Sequence, residues 1–177
     1  MPNINFTPFP TLTTDRLTLR QLSMADQQHI FKLRSDEAIN KYLDRDISRT
    51  LDDAITFIEK IKNNVENNIS IYWVITLTSA GTFAGTIGLF NFSIETNSCE
   101  IGYELLTAFQ GNGIMKEAAE KVIAYAFNEL QVDQIAACSH KGNQQSTNLL
   151  MKLNFTKSIE ADNENPVFNT FTVARSK

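Results

Sequence analysis

The stretch Phe109–Ala119 places two glycines between a predicted strand and a predicted helix. The strand pattern covers Glu100–Leu106, and apolar residues recur at helical spacing from Met115 onward. The first amides of a helix have no intrahelical partner, and the helix dipole gives them positive character. Gly111 and Gly113 let a phosphate approach the backbone closely, so this pattern predicts an anion site. The turn alone leaves open the alternative of a glycine turn without a ligand.

Two common phosphate-binding motifs do not fit this turn. A nucleotide P-loop ends in Gly-Lys-Ser/Thr, whereas an acidic residue follows Lys116 here. A dinucleotide fingerprint needs a third glycine where Lys116 stands. The turn instead resembles the coenzyme A pyrophosphate loop of the GNAT acetyltransferases, Gln/Arg-x-x-Gly-x-Gly/Ala. Gln110 and Gly113 match that loop, and Met115 replaces its small last residue in a segment expected to donate main-chain amides.

The resemblance implies acetyl-CoA as co-substrate, with its phosphates lying against this loop. The residues that the resemblance assigns to the coenzyme here are Gln110, Gly111, Asn112, Gly113, Ile114, Met115 and Lys116. For the side chain of Lys116, a solvated lysine is the simpler interpretation, because lysines are seldom buried.

Composition limits the possible classes of protein. The 177 residues, 42% of them hydrophobic, suit one domain with a substantial core, preceded by an extended arm over residues 1–14. No apolar run approaches the ~20 residues of a membrane span, and no signal-peptide pattern is present, so we expect a cytoplasmic protein. The net charge of −4 argues against nucleic-acid binding. We expect a monomer or a homodimer.

The cysteines give no sign of a metal centre. Cys99 and Cys138 lack metal-ligand spacing, and no metal site is predicted. Two cysteines in a cytosolic protein are expected to be reduced, buried thiols rather than a disulfide.

The order of predicted elements indicates an α+β fold. Alternation and turn signals predict strands over Arg16–Gln21, Ile71–Leu77, Phe83–Phe92, Cys99–Leu106, Ile135–Ser139, Phe155–Ile159 and Val167–Val173. Helices are predicted after Ser23, Thr50, Gly113 and Asn143. This order resembles the GNAT fold, which implies a mixed, mostly antiparallel sheet of about seven strands with about four helices. The sheet is expected to splay between its fourth and fifth strands.

Three further segments make the resemblance specific. Thr14–Arg20 resembles the opening strand of the branch that acetylates ribosomal-protein N-termini, and Glu100–Tyr103 resembles the fourth strand of that branch. Asn143–Phe155 resembles its last helix, with Asn154 where the family usually has glycine. Each segment alone is a weak signal, but in this order and spacing the three together are strong, and the order of elements extends the resemblance over nearly the whole chain.

Acetyl transfer from a thioester to an amine needs a base, a donor to the oxyanion and protonation of the leaving thiolate. The resemblance assigns the oxyanion donor to a main-chain amide between Glu104 and Leu106. It also places Leu105 and Leu106 against the pantetheine arm, with Leu106 pairing to it like an added strand. Both leucines are also expected to be core residues of the sheet, and the two interpretations are compatible.

Glu100 stands where histone-directed relatives have a general base, and a carboxylate acting through water could accept the amine proton. Glu104 lies on the same predicted strand face and is the fallback base. An ordinary solvated or salt-bridged strand residue is the open alternative for Glu100.

Many relatives protonate the thiolate with a tyrosine of the last helix, but Leu150 occupies that position. Ser146 is the nearest matching hydroxyl. We expect Ser146 to contact the coenzyme rather than to transfer a proton, because a serine hydroxyl is a poor acid. Asn143 is predicted to cap the last helix, and the resemblance adds a contact with pantetheine.

The combined prediction is an acetyl-CoA-dependent N-acetyltransferase acting on a primary amine, in first place a protein N-terminus of the ribosomal-protein type. Open alternatives are a small-molecule acceptor such as a polyamine or amino sugar, a non-catalytic coenzyme A-binding module, and a peptide-binding interaction domain. The acceptor is expected between the segments Ser35–Arg49 and Glu160–Pro166. The edges formed by these segments are made acidic by Asp44, Asp46, Glu160, Asp162 and Glu164, which suits a cationic amine.

Overall fold

The computed structural model describes residues 3–158 and 165–175, which form one sheet with helices on both faces. The strands are β1 Leu12–Thr13, β2 Leu17–Gln21, β3 Ile71–Leu77, β4 Thr82–Ser93, β5 Ser98–Leu105, β6 Gln134–His140, β7 Thr156–Lys157 and β8 Phe168–Ala174. The helices are α1 Gln27–Ser35, α2 Glu37–Asn40, α3 Leu51–Glu66, α4 Ile114–Asn128 and α5 Gln144–Lys152. Single 3-10 turns at Met24–Asp26 and Thr107–Phe109 precede α1 and the glycine loop.

The sheet runs β1-β2-β3-β4-β5-β6-β8-β7, and every neighbouring pair is antiparallel except β5 and β6. The predicted α+β architecture is therefore confirmed. Eight strands replace the expected seven because two residues of the arm, Leu12 and Thr13, pair with β2. The predicted end of the sixth strand at Ile159 lies outside the described residues.

The helices cover the two faces of the sheet with separate apolar clusters. On one face, α1 and α3 pack through Ile30 and Ile58 against sheet residues such as Val74. On the other face, α4 and α5 pack through Val122 and Leu150 onto the larger core. No helix among the described residues is long and apolar enough to cross a membrane.

The parallel strands β5 and β6 pair over only three residues. Their register ends at Glu100 opposite Ala136, although β5 continues to Leu105 and β6 to His140. The ladder between β6 and β8 continues to His140, so β6 follows β8 after it leaves β5. The sheet thus splays between the strands where the sequence predicted it to open.

The prediction that both cysteines are buried is wrong for one of them. Cys99 is buried, and burial raises the pKa of its thiol to about 12. Cys138 is exposed, because the alternation along β6 turns Ala137 and Ser139 inward and Cys138 to the opposite face. Both thiols are free.

The start of α1 is fixed by a nearly buried ion pair. Asp26 is 3% exposed and accepts hydrogen bonds from Arg20 Nη2 at 2.6 Å and from the Ser23 amide at 2.9 Å. Burial alone would raise the pKa of Asp26, but these hydrogen bonds outweigh it, and the pKa lies below its usual value. Ionised Asp26 therefore stabilises the fold above its unfolded pKa of about 3.9, and this stabilisation is lost as pH falls through the folded pKa.

We expect Asp26→Asn to lower the free energy of unfolding by about 2 kcal/mol at pH 7, because it removes charged hydrogen bonds from a buried site. The variant should also lose less stability than the wild type on acidification below pH 4. Asp52→Asn is the matched control, since Asp52 is exposed in the first turn of α3 and should cost about 0.5 kcal/mol. Urea denaturation at several pH values measures both effects, and equal losses in the two variants would contradict this role of Asp26.

Candidate active site

The glycine loop connects the end of β5 to the start of α4. The backbone takes positive φ at Gly111 (78°) and Gly113 (74°), a conformation that glycine adopts without strain. Gln110 Nε2 donates to the Leu105 carbonyl at 3.1 Å and ties the loop back to the strand. Gly113 is the N-cap of α4 and offers no capping side chain, so the first amides of the helix face outward uncapped.

Arg16 lies far from this loop along the chain but contacts it directly. Its Nη1 donates to the Asn112 carbonyl at 3.1 Å, and its Nε donates to Glu117 in the first turn of α4 at 2.6 Å. The Thr14 hydroxyl donates to the same carboxylate at 2.5 Å. Arg16 belongs to the segment Thr14–Arg20, which resembles the opening strand of the family. Its contacts with Asn112 and Glu117 could not be read from the sequence, because they join residues far apart in the chain. The ion pair between Arg16 and Glu117, together with the bond from Arg16 to Asn112, thus fixes the position of the loop relative to α4.

Lys116 does not point at the loop amides. Its Nζ forms an exposed ion pair with Glu120 one turn along α4 at 2.5 Å. This geometry agrees with a solvated lysine, which was the simpler interpretation of that side chain.

The end of β5 presents one edge to β4 and the other to the splay. The Leu106 amide donates to the Ala84 carbonyl at 2.9 Å, and its carbonyl accepts from Phe109. Because successive amides of a strand point in opposite directions, the Leu105 amide points to the edge that β6 has left. Of the amides between Glu104 and Leu106, the Leu105 amide is therefore the one that faces the splay, while the Leu106 amide is bonded to the Ala84 carbonyl of β4.

Gly85 allows β4 to approach this part of β5. It pairs with Leu105, and a Cβ at this position would lie 2.2 Å from the Glu104 carbonyl oxygen. A side chain would force the strands apart. The close contact holds the backbone of Leu105 in place on the side away from the splay.

Two hydroxyls meet at the α5 side of the splay. The Tyr103 hydroxyl lies 3.1 Å from Ser146 Oγ, within hydrogen-bond distance. Asn143 Oδ1 accepts from the Ser146 amide at 3.1 Å, so Asn143 caps α5 as predicted. Burial raises the pKa of Tyr103, and the hydrogen bond to Ser146 offsets part of that rise. Sequence reasoning missed Tyr103, because it sought a tyrosine in the last helix rather than on the strand.

The two carboxylates of β5 have different surroundings. Glu100 accepts one hydrogen bond, from Asn91 Nδ2 at 3.0 Å, on an exposed part of the sheet. Both oxygens of Glu104 accept from the guanidinium of Arg45, one of them at 2.7 Å. Arg45 also donates to Asn40 Oδ1 at 2.8 Å. Glu104 is therefore committed to a structural ion pair, whereas Glu100 keeps an oxygen for other partners.

The segment between α2 and α3 reaches the far side of the splay. The Tyr42 ring lies 5.2 Å from the His140 ring at the end of β6, and Asn165 Nδ2 donates to Asp44 at 3.2 Å. The two segments expected to bound the acceptor thus meet within the described residues. Glu160, Asp162 and Glu164 of the second segment lie outside the described residues.

Residues 16–156 match the family model described as an acetyltransferase (GNAT) domain. The chain belongs to the GNAT acetyltransferase family. The uncharacterized N-acetyltransferase YoaA of Bacillus subtilis is 32% identical over 149 residues, which are 84% of this chain and 84% of that protein. As a member of this family, the chain is an N-acetyltransferase with acetyl-CoA as its co-substrate.

Solved GNAT structures share the fold. A putative ribosomal-protein-serine acetyltransferase from Vibrio cholerae aligns with a TM-score of 0.82 at 17% identity, covering 95% of this chain and 99% of that chain. The microcin C7 self-immunity acetyltransferase MccE, solved in complex with acetyl-CoA and AMP, aligns with a TM-score of 0.77 at 21% identity. That alignment covers 92% of this chain and 94% of MccE. At these identities the likeness establishes the GNAT fold.

We expect Gly113→Val to weaken coenzyme A binding at least tenfold, because a β-branched residue at a φ of 74° strains the loop from which α4 begins. Gly81→Val is the matched control, since Gly81 also has positive φ (65°) but lies in the turn between β3 and β4. Isothermal titration calorimetry measures the affinity, and thermal unfolding compares the strain. Equal coenzyme affinities in the two variants would contradict a binding role for the loop.

Proposed function

We propose that this GNAT enzyme transfers the acetyl group of acetyl-CoA to the N-terminal amine of a protein, in the manner of ribosomal-protein acetyltransferases. The observation that carries the proposal is the edge of β5 at the splay, where the Leu105 amide opens toward the loop that begins α4. Acetyl-CoA bound along this edge has its pyrophosphate at the loop and its thioester carbonyl at the Leu105 amide. The acceptor then approaches from the face that carries Glu100.

The coenzyme is held mainly by backbone groups. The uncapped amides after Gly113 receive the pyrophosphate, where the helix dipole favours negative charge. The pantetheine arm lies along the edge of β5 that β6 leaves after Glu100. Arg16 fixes the loop in the conformation that receives the phosphates. Holding the thioester in this groove supplies part of the rate by orientation.

The reaction needs one oxyanion donor and two proton transfers. The amine nitrogen attacks the thioester carbonyl, and the Leu105 amide donates to the oxygen that becomes negative. The proton of the amine passes through water to Glu100. When the carbon–sulfur bond breaks, the thiolate leaves beside the hydroxyl pair of Tyr103 and Ser146, which can supply the proton. Ser146 itself serves mainly as a coenzyme contact.

The choice of a protein N-terminus rests on three sequence segments, Thr14–Arg20, Glu100–Tyr103 and Asn143–Phe155, which resemble the ribosomal-protein branch. The similar Vibrio cholerae protein carries a name of the same branch. The acceptor face is bordered by the segment from Tyr42 to Arg49, in which Tyr42 contacts His140 and Asp44 accepts from Asn165.

The direct test is acetyl transfer to peptides that begin with serine or alanine. We expect thiol release from acetyl-CoA and one added acetyl group on the terminal nitrogen, located by tandem mass spectrometry. The control peptide has the same sequence with its N-terminus already acetylated and an internal lysine left free. Transfer only to a polyamine or an amino sugar would contradict the protein acceptor, and coenzyme binding without any transfer would contradict the enzyme assignment.

We expect Glu100→Gln to lower turnover by at least tenfold and to remove the acidic limb of the pH–rate profile, because the amide cannot accept the amine proton. Coenzyme affinity should change little. Glu95→Gln, an exposed carboxylate in the hairpin between β4 and β5, is the matched control and should behave as the wild type. Wild-type turnover in Glu100→Gln would remove Glu100 from the proposed mechanism.

A further inference from the structure

A cavity of about 710 Å³ lies between the end of α1 and the start of α3, beside the acceptor face of the sheet. Three arginines line it, Arg34, Arg45 and Arg49, together with the carboxylates of Asp46 and Asp53. Its volume is in the range of small-ligand sites. The sequence led us to expect acidic edges here, but the lining also carries three guanidinium groups, of which Arg45 is paired with Glu104 and Arg34 and Arg49 are not in ion pairs with described carboxylates.

Arg34 has no anionic partner within residues 3–158 and 165–175. Its Nε is buried without a hydrogen-bond partner, and its guanidinium carbon lies 4.0 Å above the centre of the Phe57 ring. Stacking on the ring fixes the plane of the guanidinium, and Arg34 is one of the residues that line the cavity. Burial is the main cause of a lowered pKa at Arg34, and the charge of Arg45 adds to it, while the nearby charge of Glu104 offsets part of the effect.

Two nearby carboxylates already accept hydrogen bonds, whereas Asp46, which also lines the cavity, is exposed and forms no ion pair within the described residues. Glu104 accepts both of its hydrogen bonds from Arg45. Asp53 accepts from the amides of Arg49 and Thr50, each at 2.8 Å, as the capping carboxylate of α3. Arg34 therefore offers donors to the cavity that no described carboxylate satisfies, and Arg49 lies exposed at its border.

We propose that Arg34, assisted by Arg49, binds a carboxylate of the acceptor, namely an acidic side chain in the first residues of the peptide whose N-terminus is acetylated. This inference rests on the proposed function for the position of the amine. Arg45 connects the cavity to Glu104 on β5, one residue from the Leu105 amide. A peptide whose amine lies at the splay can therefore place a nearby side chain in the cavity. A guanidinium fork matches a carboxylate with two parallel hydrogen bonds.

The test measures peptide binding in the presence of coenzyme A, which carries no acetyl group and forms a dead-end complex. Two peptide pairs begin with serine, have an amidated C-terminus, and differ only by aspartate against asparagine at the second or third position. Free aspartate separates a small amino-acid ligand from a peptide. Calorimetry is performed on the wild type, Arg34→Gln, Arg34→Lys and Arg49→Gln. Lys32→Gln, which removes an exposed charge from the same helix, is the matched control.

We expect the wild type and Lys32→Gln to bind an aspartate peptide about tenfold more tightly than its asparagine partner. Arg34→Gln should lose this preference at unchanged coenzyme A affinity, while Arg34→Lys and Arg49→Gln keep part of it. Equal affinity within both pairs in the wild type, or a preference that survives Arg34→Gln, would overturn the proposal. So would binding of free aspartate without binding of either aspartate peptide.

Acetyl transfer to the same peptides separates this inference from the proposed function. A binding preference without any transfer would overturn the proposed reaction and leave the carboxylate site in place. Equal transfer to and equal binding of both members of each pair would overturn the carboxylate site and leave the reaction in place.

Discussion

The short parallel ladder between β5 and β6 is the constraint on which the site depends. After Glu100 and Ala136 the two strands part, because β5 stays paired to β4 while β6 follows β8. The close approach of Gly85 and the bond from the Leu106 amide to Ala84 keep β5 paired with β4 to its end. The opened edge leaves backbone groups facing a groove, and backbone groups out of water need partners. An extended coenzyme arm supplies such partners without any change of fold.

The splay also brings together side chains from opposite faces of the sheet. On β5, Glu100 and Glu104 share one face of the sheet, where Glu104 pairs with Arg45, and Tyr103 lies on the other face, where it contacts Ser146 of α5. The Leu105 amide lies between these two faces and points into the gap between β5 and β6. In the proposed reaction the proton acceptor for the amine and the proton donor for the thiolate thus approach from different sides. Arg45 neutralises Glu104 and leaves Glu100 as the carboxylate with an unoccupied oxygen on that strand.

Much of this architecture could be predicted from the sequence, because its signals are local. Alternation marks the strands, Asn143 caps α5 as expected, and two glycines mark the loop before α4. The contacts that hold the site together are not local: Arg16 reaches Asn112 across 96 positions, and Arg45 reaches Glu104 across 59. The stacking of Arg34 on Phe57 likewise depends on how α1 and α3 pack. Periodicity assigns such residues to an element and a face, but it does not choose their partners.

Amide chemical shifts measured while coenzyme A is added to the isotopically labelled protein test most directly whether the splay is the coenzyme site. Saturable shifts are expected at the Leu105 amide, where the thiol end of the coenzyme should lie, and at the amides from Gly113 to Lys116, where its pyrophosphate should lie. A shift is also expected at Ser146. Shifts confined to the segment from Tyr42 to Arg49, with Leu105 and Gly113 unchanged at saturation, would contradict this assignment. They would place the coenzyme on the face that we assign to the acceptor.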